Sequence, residues 1–200
     1  MNQTIEQAYP KAYAEIDQST KDSGFTMASD VLTCSLLRTL ASSKPAGQFL
    51  ELGTGTGLST AWILDGMDHA SSLISVDFDQ QFLSIAEQFL GTDPRLKLIH
   101  SDGGEWMAKN KHQRFDYIFA DTWHGKYLLL DEAIAMLKDG GLYIIDDMLP
   151  QPNWPEGHAE KATQLIAEIE KRSDLTITKQ NWATGLIIGV KTNKADPRNN

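Results

Sequence analysis

The stretch Leu50-Glu51-Leu52-Gly53-Thr54-Gly55-Thr56-Gly57 joins an apolar run to three glycines at alternating positions. A helical pattern follows from about Ser59, so the sequence predicts a strand, a tight loop and a helix. Glycines here let the backbone approach a ligand closely. A dinucleotide-binding loop would have its third glycine at position 58, where this chain has Leu58. Glu51 would repel a pyrophosphate, whereas a carboxylate there suits the ammonium of an amino-acid cofactor.

The rest of the chain alternates apolar runs with helical patterns. Candidate strands are Gln48–Leu52, Leu73–Asp77, Leu96–His100, Phe115–Asp121 and Gly141–Asp146. Such near-continuous apolar runs are typical of parallel strands covered on both faces. Two later runs, Leu175–Asn181 and Leu186–Lys191, leave no room for a helix between them and predict a hairpin. The sequence therefore predicts an α/β sheet of seven strands, with the last strand antiparallel and helices on both faces.

Helical patterns are expected between these strands and before the first. Four stripes of apolar residues carry the pattern: one begun near Ser29, one over Phe82–Phe89, one through Ala133, Ile134 and Leu137, and one over Ala162–Ile169. We expect residues 1–45 to form a helical segment on the substrate side, 46–192 the cofactor-binding domain and 193–200 a polar tail.

Composition indicates an ordinary globular protein. The 200 residues carry 41% hydrophobic side chains and a formal net charge of −9, and this acidity disfavours nucleic-acid partners. Cys34 is the single cysteine, so an intramolecular disulfide is excluded. No apolar run is long enough to span a membrane, and the N-terminus lacks the features of a signal peptide. We therefore expect a cytoplasmic protein without a membrane partner.

Acidic residues end the first three predicted strands. Asp77 follows Gly57 by twenty residues and could accept hydrogen bonds from both ribose hydroxyls. Asp102 could accept from an adenine amino group, and Phe78 could pack on the adenine face. Together with Glu51, these acids surround the carboxyl edge of the sheet, where ligands bind in such folds. The pattern favours a cofactor that contains a nucleoside.

The loop, with Val76-Asp77 and Ser101-Asp102, resembles the motifs of class I S-adenosylmethionine (SAM) dependent methyltransferases between Met27 and Lys191. The resemblance implies a Rossmann-like seven-stranded mixed sheet in the order 3-2-1-4-5-7-6. It implies that the loop and its acid hold the methionine part of SAM, the second acid the ribose and the third the adenine. The expected cofactor contacts are Met27, Glu51, Gly53, Thr54, Gly55, Gly57, Ser59, Asp77, Phe78, Asp102, Gly103 and Asp121.

Two of these contacts have an ordinary structural alternative. Met27 could cover the cofactor or lie in the core. Ser59, at a helix start, could bond the SAM carboxylate, since helix N-termini favour anions, or it could be a local cap.

Three carboxylates end the fourth and fifth predicted strands, which should be neighbours. Asp121, Asp146 and Asp147 would therefore meet, and hard oxygen ligands suit Mg²⁺, Mn²⁺ or Ca²⁺. The region resembles the catechol and caffeoyl-CoA type O-methyltransferases, in which an aspartate ending strand four and an Asp-Asn pair ending strand five bind the metal. Asp147 stands where that subgroup has asparagine. The resemblance implies a divalent cation as a second cofactor.

The same resemblance suggests where a general base could lie. The subgroup places a catalytic lysine three residues after its first metal aspartate, and here that position is His124. Histidine has a suitable pKa for accepting a hydroxyl proton near neutrality. Lys126 is the alternative base, and His124 could instead be an exposed loop residue.

A proline-rich loop, Leu149–His158, directly follows Asp147 and could wall an acceptor pocket. Trp123, Trp154 and Trp182 could stack on a planar acceptor, or they could anchor long loops. The expected function is SAM-dependent O-methyl transfer to a small acceptor with help from a divalent cation. Alternatives are a metal-independent, nitrogen-directed or tRNA-directed methyltransferase, and a non-catalytic SAM-binding regulator. Because relatives are often dimers, a homodimer is also expected.

Overall fold

A single seven-stranded sheet forms the centre of the computed structural model, which describes residues 8–152 and 154–193. The strand order is β3-β2-β1-β4-β5-β7-β6, which confirms the predicted topology. The strands are β1 Gln48–Leu52, β2 Ser72–Asp77, β3 Leu96–His100, β4 Phe115–Ala120, β5 Leu137–Ile145, β6 Leu175–Gln180 and β7 Leu186–Lys191. The first five pair in parallel, and β7 runs antiparallel to both β5 and β6.

Seven helices connect and precede these strands within the described residues. They are α1 Tyr13–Ser23, α2 Val31–Ser42, α3 Leu58–Gly66, α4 Gln80–Leu90, α5 Gly103–Asn110, α6 Leu130–Ala135 and α7 His158–Glu170. Aspartates cap three of them: Asp30 accepts from the amide of Leu32, Asp79 from two amides of α4, and Asp102 from the amide of Glu105. Such caps satisfy donors that the first turn of a helix leaves free. The helix predicted from Ser29 thus begins at Val31.

Apolar side chains cover both faces of the sheet. Along β1, Phe49 faces a cluster that includes Ile16 and Leu37, whereas Leu50 faces a second cluster with Trp106 and Leu165. Alternation along a strand sends neighbouring side chains to opposite faces. This burial leaves the carboxyl edge of the parallel strands as the part of the sheet where loops meet.

The fifth strand is longer than predicted. Leu137, which was assigned to a helical stripe, pairs with Phe115 and begins β5, while α6 is only six residues long. The ladder shifts register between Phe115 and Tyr117, and Gly140 takes a positive φ of 77° beside this irregularity. The helical assignment of Leu137 was therefore wrong, because a bulge lets the strand extend past two glycines.

Other boundaries differ by a residue. Asp121 and Asp146 lie just beyond the strands that were predicted to contain them. The predicted polar tail, except residue 193, and residues 1–7 lie outside the described residues. Within the described part of the chain, no helix has the length and apolar character needed to cross a membrane.

Candidate functional site

The glycine loop between β1 and α3 depends on backbone conformations that favour glycine. Gly53, Gly55 and Gly57 have φ values of 102°, 52° and 93°. A Cβ at Gly53 would lie 2.6 Å from the carbonyl oxygen of Asp121, and one at Gly57 would lie 2.8 Å from the Cβ of Ala86. Close packing against the β4 end and against α4 therefore fixes the loop at positions where a side chain would not fit.

Glu51 lies beneath the loop rather than on its surface. It is 0% exposed, and its carboxylate accepts hydrogen bonds from Ser59 Oγ at 2.6 Å and from Thr60 Oγ1 and Ser75 Oγ at 2.5 Å. Thr54 Oγ1 lies 2.6 Å from the same Ser75 hydroxyl. Burial raises the pKa of Glu51 to about 7, although the hydroxyl donors oppose that rise.

This arrangement concerns three of the expected cofactor contacts, which stay predictions. Glu51, Ser59 and Thr54 were expected to touch the cofactor, but all three side chains are buried and bonded within one network. Because Glu51 is fully buried, its carboxylate offers an ammonium no open approach in this arrangement. These residues therefore position the loop, and the loop backbone remains the part that can meet a ligand.

Asp77 closes the loop from the end of β2. Its Oδ2 accepts the amide of Gly55 at 2.7 Å, and its Oδ1 accepts the amide of Asp79 at 2.9 Å. Each carboxylate oxygen keeps a second lone pair that can accept a ribose hydroxyl. Phe78 beside it is 71% exposed and Met27 is 68% exposed, so Met27 does not belong to the core. Two large apolar side chains therefore stand open near the loop.

His124 lies beside the end of β3. Its Nε2 is 3.8 Å from Oδ2 of Asp102, and a Cβ at Gly103 or Gly104 would lie 3.1 Å from an atom of the His124 side chain. The ring thus packs over the N-terminus of α5. The loop thus carries His124 toward the proposed adenine side, and its catalytic role stays a prediction.

Lys126 takes the inward position instead. The loop turns at Gly125, whose φ is 81° and whose carbonyl accepts the hydroxyl of Tyr143. This turn leaves Lys126 only 4% exposed. Its positive charge lowers the pKa of Asp121 and of Asp147, against the larger opposing effect of burial. Lys126, which the sequence analysis gives as the alternative general base, is therefore the charged residue near Asp121 and Asp147.

Protein donors hold the carboxylates of two of the three acids beyond β4 and β5. Asp121 Oδ2 accepts from Ser29 Oγ at 2.8 Å, and Asp146 Oδ1 accepts from Thr184 Oγ1 at 2.5 Å and from the amide of Asp147 at 2.8 Å. Burial raises the pKa of all three carboxyls, and mutual repulsion raises those of Asp121 and Asp146 further.

This donor set does not fit a divalent cation as it is arranged. Across residues 8–152 and 154–193, no group of three or more His, Cys, Asp or Glu side chains could hold a metal ion. Hydroxyl donors engage Asp121 and Asp146, and the nearby positive charge belongs to Lys126. The resemblance implied a metal bound by Asp121, Asp146 and Asp147, and the geometry does not support that part.

Two of the three expected substrate tryptophans meet at a histidine that the sequence analysis missed. The His158 ring lies 4.3 Å from Trp154, 5.8 Å from Trp123 and 5.2 Å from Tyr127 between ring centres. The Tyr127 hydroxyl is 3.0 Å from His158 Nε2. The available signal was His158 at the start of α7, four residues after Trp154 in the proline-rich loop.

Trp182 occupies a different place. It lies half-buried in the turn between β6 and β7, where its carbonyl accepts the amide of Gly185 at 2.9 Å. Its ring makes none of the aromatic contacts found among the described residues. The structure thus brings Trp123 and Trp154 together but leaves Trp182 outside their cluster. Residue 153 of the same proline-rich loop lies outside the described residues.

The N-terminal segment contacts the site at several points. Thr20 Oγ1 of α1 donates to Thr56 Oγ1 in the glycine loop at 2.7 Å. Ser29 donates to Asp121, and Thr33 lies within 3.5 Å of the Asp146 carboxylate. Cys34, on α2, is 1% exposed, and burial raises the pKa of its thiol well above the usual value.

The sheet order, the glycine loop and the acid that closes it define a Rossmann-like fold of the methyltransferase type. A family model described as "Methyltransferase domain" matches residues 50–148. The match identifies a methyltransferase domain over residues 50–148, and the chain resembles the class I SAM-dependent methyltransferases of the catechol and caffeoyl-CoA type.

Individual relatives agree with this assignment. Catechol O-methyltransferase B of Danio rerio is 27% identical over 124 residues, covering 57% of this chain and 47% of that protein. The O-methyltransferase from Bacillus cereus in complex with SAH has a TM-score of 0.81 at 14% identity and covers 94% of each chain.

The O-methyltransferase TomG from Streptomyces achromogenes in complex with SAM has a TM-score of 0.80 at 18% identity, covering 94% of this chain and 93% of that one. These structural likenesses show the fold. The chain spans about half to two thirds of the length of the curated relatives it matches.

Proposed function

We propose that the chain is a SAM-dependent methyltransferase that methylates a hydroxyl oxygen of a small acceptor. The observation that carries the proposal is the closed glycine loop, in which Asp77 bonds the amide of Gly55 while keeping lone pairs for a ribose. The match to a methyltransferase domain supports the cofactor, and the O-methyltransferase names of the chain's relatives support oxygen as the acceptor atom.

Different residues of the chain would contact the different parts of the cofactor. The backbone of Gly53 to Gly57 would face the methionine part, and Asp77 would hold the ribose. Phe78 would cover the adenine, and Asp102, whose side chain is 50% exposed, would accept from its amino group. Met27 would close over the sulfonium side. A site built this way holds the methyl group near the ends of β1 and β4.

The reaction would be a direct displacement. An oxygen lone pair of the acceptor attacks the methyl carbon, the bond from carbon to sulfur breaks, and its electron pair stays on sulfur. The protein mainly supplies proximity and alignment. The acceptor hydroxyl would lose its proton to solvent before or during the attack. Since the acids do not fit a divalent cation, cation assistance is not part of the proposal.

Calorimetry with SAH tests the cofactor site. Wild type should bind SAH, and Asp77→Ala should weaken that binding by about tenfold or more, because a hydrogen bond to a charged group contributes roughly 1.5–3 kcal/mol. Asp139→Ala is a matched control, since Asp139 is exposed on β5 at the amino end of the sheet. Binding of NAD without binding of SAH would overturn the proposal.

Transfer of labelled methyl groups separates the remaining alternatives. Label in a phenolic or other hydroxyl acceptor supports O-methylation, whereas label in bulk tRNA or in an amine would replace that acceptor. SAH binding with no transfer to any acceptor class would favour the non-catalytic regulator.

A further inference from the structure

A pocket of about 530 Å³ opens between the loop from β4 to α6 and the helix α7. Its lining includes Trp123, Lys126, Tyr127, Lys161 and Leu165. This volume falls in the range of pockets that hold small molecules. The loop that forms one wall starts at Asp121, whose carbonyl packs against Gly53, so this wall is continuous along the chain with a residue beside the proposed transfer site.

Lys126 is the unusual residue of this pocket. It is 4% exposed, yet among the described residues no carboxylate oxygen lies within 4 Å of its ammonium and no hydrogen-bond acceptor engages it. The Tyr127 ring centre lies 5.5 Å from its Nζ, and Asp121 and Asp147 act on it only at longer range. The side chain is buried along its stem, but Nζ is not one of the fully enclosed, unpartnered polar atoms of the described residues, so the ammonium reaches the pocket and can meet an anion there.

A second cation lies on the same wall. Lys161 Nζ is 4.3 Å from the ring centre of Trp123, which is itself 42% exposed. Lys126 and Lys161 both lower the pKa of His158, in addition to the larger effect of burial, so both charges lie near that imidazole. The wall therefore combines two positive charges with an accessible indole face.

Acidic residues also line the pocket, but they lie at its rim. Asp131, Glu132 and Glu168 are exposed, and Asp131 is bonded to Arg172. Solvent screens exposed charges far more than buried ones, so these acids weaken the attraction of Lys126 for an anion only modestly. The whole chain carries a charge of −9, so a local pair of cations would favour an anionic ligand against the overall repulsion.

We propose that this pocket binds the methyl acceptor through an anionic group held by Lys126 and Lys161, with an aromatic ring of the acceptor against Trp123. The acceptor class is then a hydroxylated aromatic carboxylate rather than a neutral phenol or catechol. This inference rests on the proposed methyltransferase function and adds the chemical class of its acceptor.

Paired probes test the anionic group. Calorimetry on the SAH-saturated protein compares 3,4-dihydroxybenzoate with its neutral analogue 3,4-dihydroxybenzamide. Wild type should bind the benzoate about tenfold more tightly or better, as expected for a charge-assisted contact. Lys126→Met should remove that preference, and Lys161→Met, which removes an exposed cation, should reduce it less. Lys109→Met makes the same charge change at an exposed site on α5 and should leave the preference intact.

The outcomes are distinguishable. Three results would each overturn the anion site. Wild type could bind the two probes equally, it could bind neither probe, or Lys126→Met could keep the preference for the benzoate. Absence of SAH binding would instead contradict the proposed function. If Lys126→Met fails to fold, Lys126→Arg keeps the positive charge and should retain the preference, and its loss there would also count against the proposal.

Discussion

The contact between Gly57 and Ala86 allows a sharp prediction about the cofactor loop. In Gly57→Ala, the alanine would have to adopt a φ of 93°, which L-residues rarely do. Its Cβ would also lie only 2.8 Å from the Cβ of Ala86. The conformation costs about 1–2 kcal/mol and the overpacking about 1–3 kcal/mol. Reduced freedom of the unfolded chain returns roughly 0.5–1 kcal/mol. The net loss of unfolding free energy should be about 1–4.5 kcal/mol.

A double-mutant cycle separates the two causes. Ala86→Gly removes the clashing methyl group but costs about 1 kcal/mol as a glycine within a helix. The double variant should therefore lose about 1–2 kcal/mol less than the sum of the single variants. Gly140→Ala is the matched control, because Gly140 has a φ of 77° and nothing within 4 Å of an added Cβ.

Urea unfolding followed by tryptophan fluorescence measures these differences, and SAH calorimetry measures the effect on the site. Gly140→Ala should show the conformational cost alone. If Gly57→Ala were no less stable than Gly140→Ala, or if the double variant were additive within about 0.5 kcal/mol, packing against α4 would not be what fixes the loop.

Four further predictions follow from the site. Gly53→Ala should abolish SAH binding, because the added Cβ would clash with a backbone carbonyl. Gly55→Ala should weaken binding less, because its φ of 52° is accessible to alanine and the added Cβ would contact only a phenylalanine ring. Equal effects of the two variants in calorimetry would contradict this ranking. Because the pKa of Glu51 is raised to about 7, its proton stabilises the folded state fully below pH 4.5, and this stabilisation is lost as the pH rises to about 7. Over that range the free energy of unfolding of wild type, measured by urea titration, should fall by about 3 kcal/mol relative to Glu51→Gln. A relative change of opposite sign would refute this. His124→Ala should change SAH affinity through Asp102 without shifting the pH profile of transfer, and a shifted profile would restore His124 as a base. EDTA should leave melting temperature and transfer rate unchanged, and restoration of lost activity by Mg²⁺ would show a metal site.

The fold was predictable because its signals are local. Each parallel strand is an apolar run, and the glycine loop needs conformations that few other residues adopt, so both are visible in the sequence. The early start of β5 at Leu137 was not visible, since a bulge across two glycines has no periodic pattern. At Leu137, pairing with β4 determines the structure, and the helical pattern of the sequence does not.

The candidate site was predictable in its backbone and less so in its side chains. Glu51 has the residue type expected for an ammonium contact, but three hydroxyls from two elements enclose it, and only the folded chain brings them together. His124 and Lys126 are two residues apart, and the turn at Gly125 decides which one faces the acids. Spacing from Asp121 could not show that turn.

The hydrogen bond between Thr20 and Thr56 makes α1 a convenient place to observe the cofactor. An event in the glycine loop is one bond away from a surface helix, so a fluorescent dye on Lys21→Cys, whose parent side chain is 66% exposed, should respond when the loop is occupied. The chain's single native thiol, Cys34, is buried and its pKa is raised, which leaves it poorly reactive toward labelling reagents. The protein can thus become a site-specifically labelled cofactor sensor without first removing a cysteine.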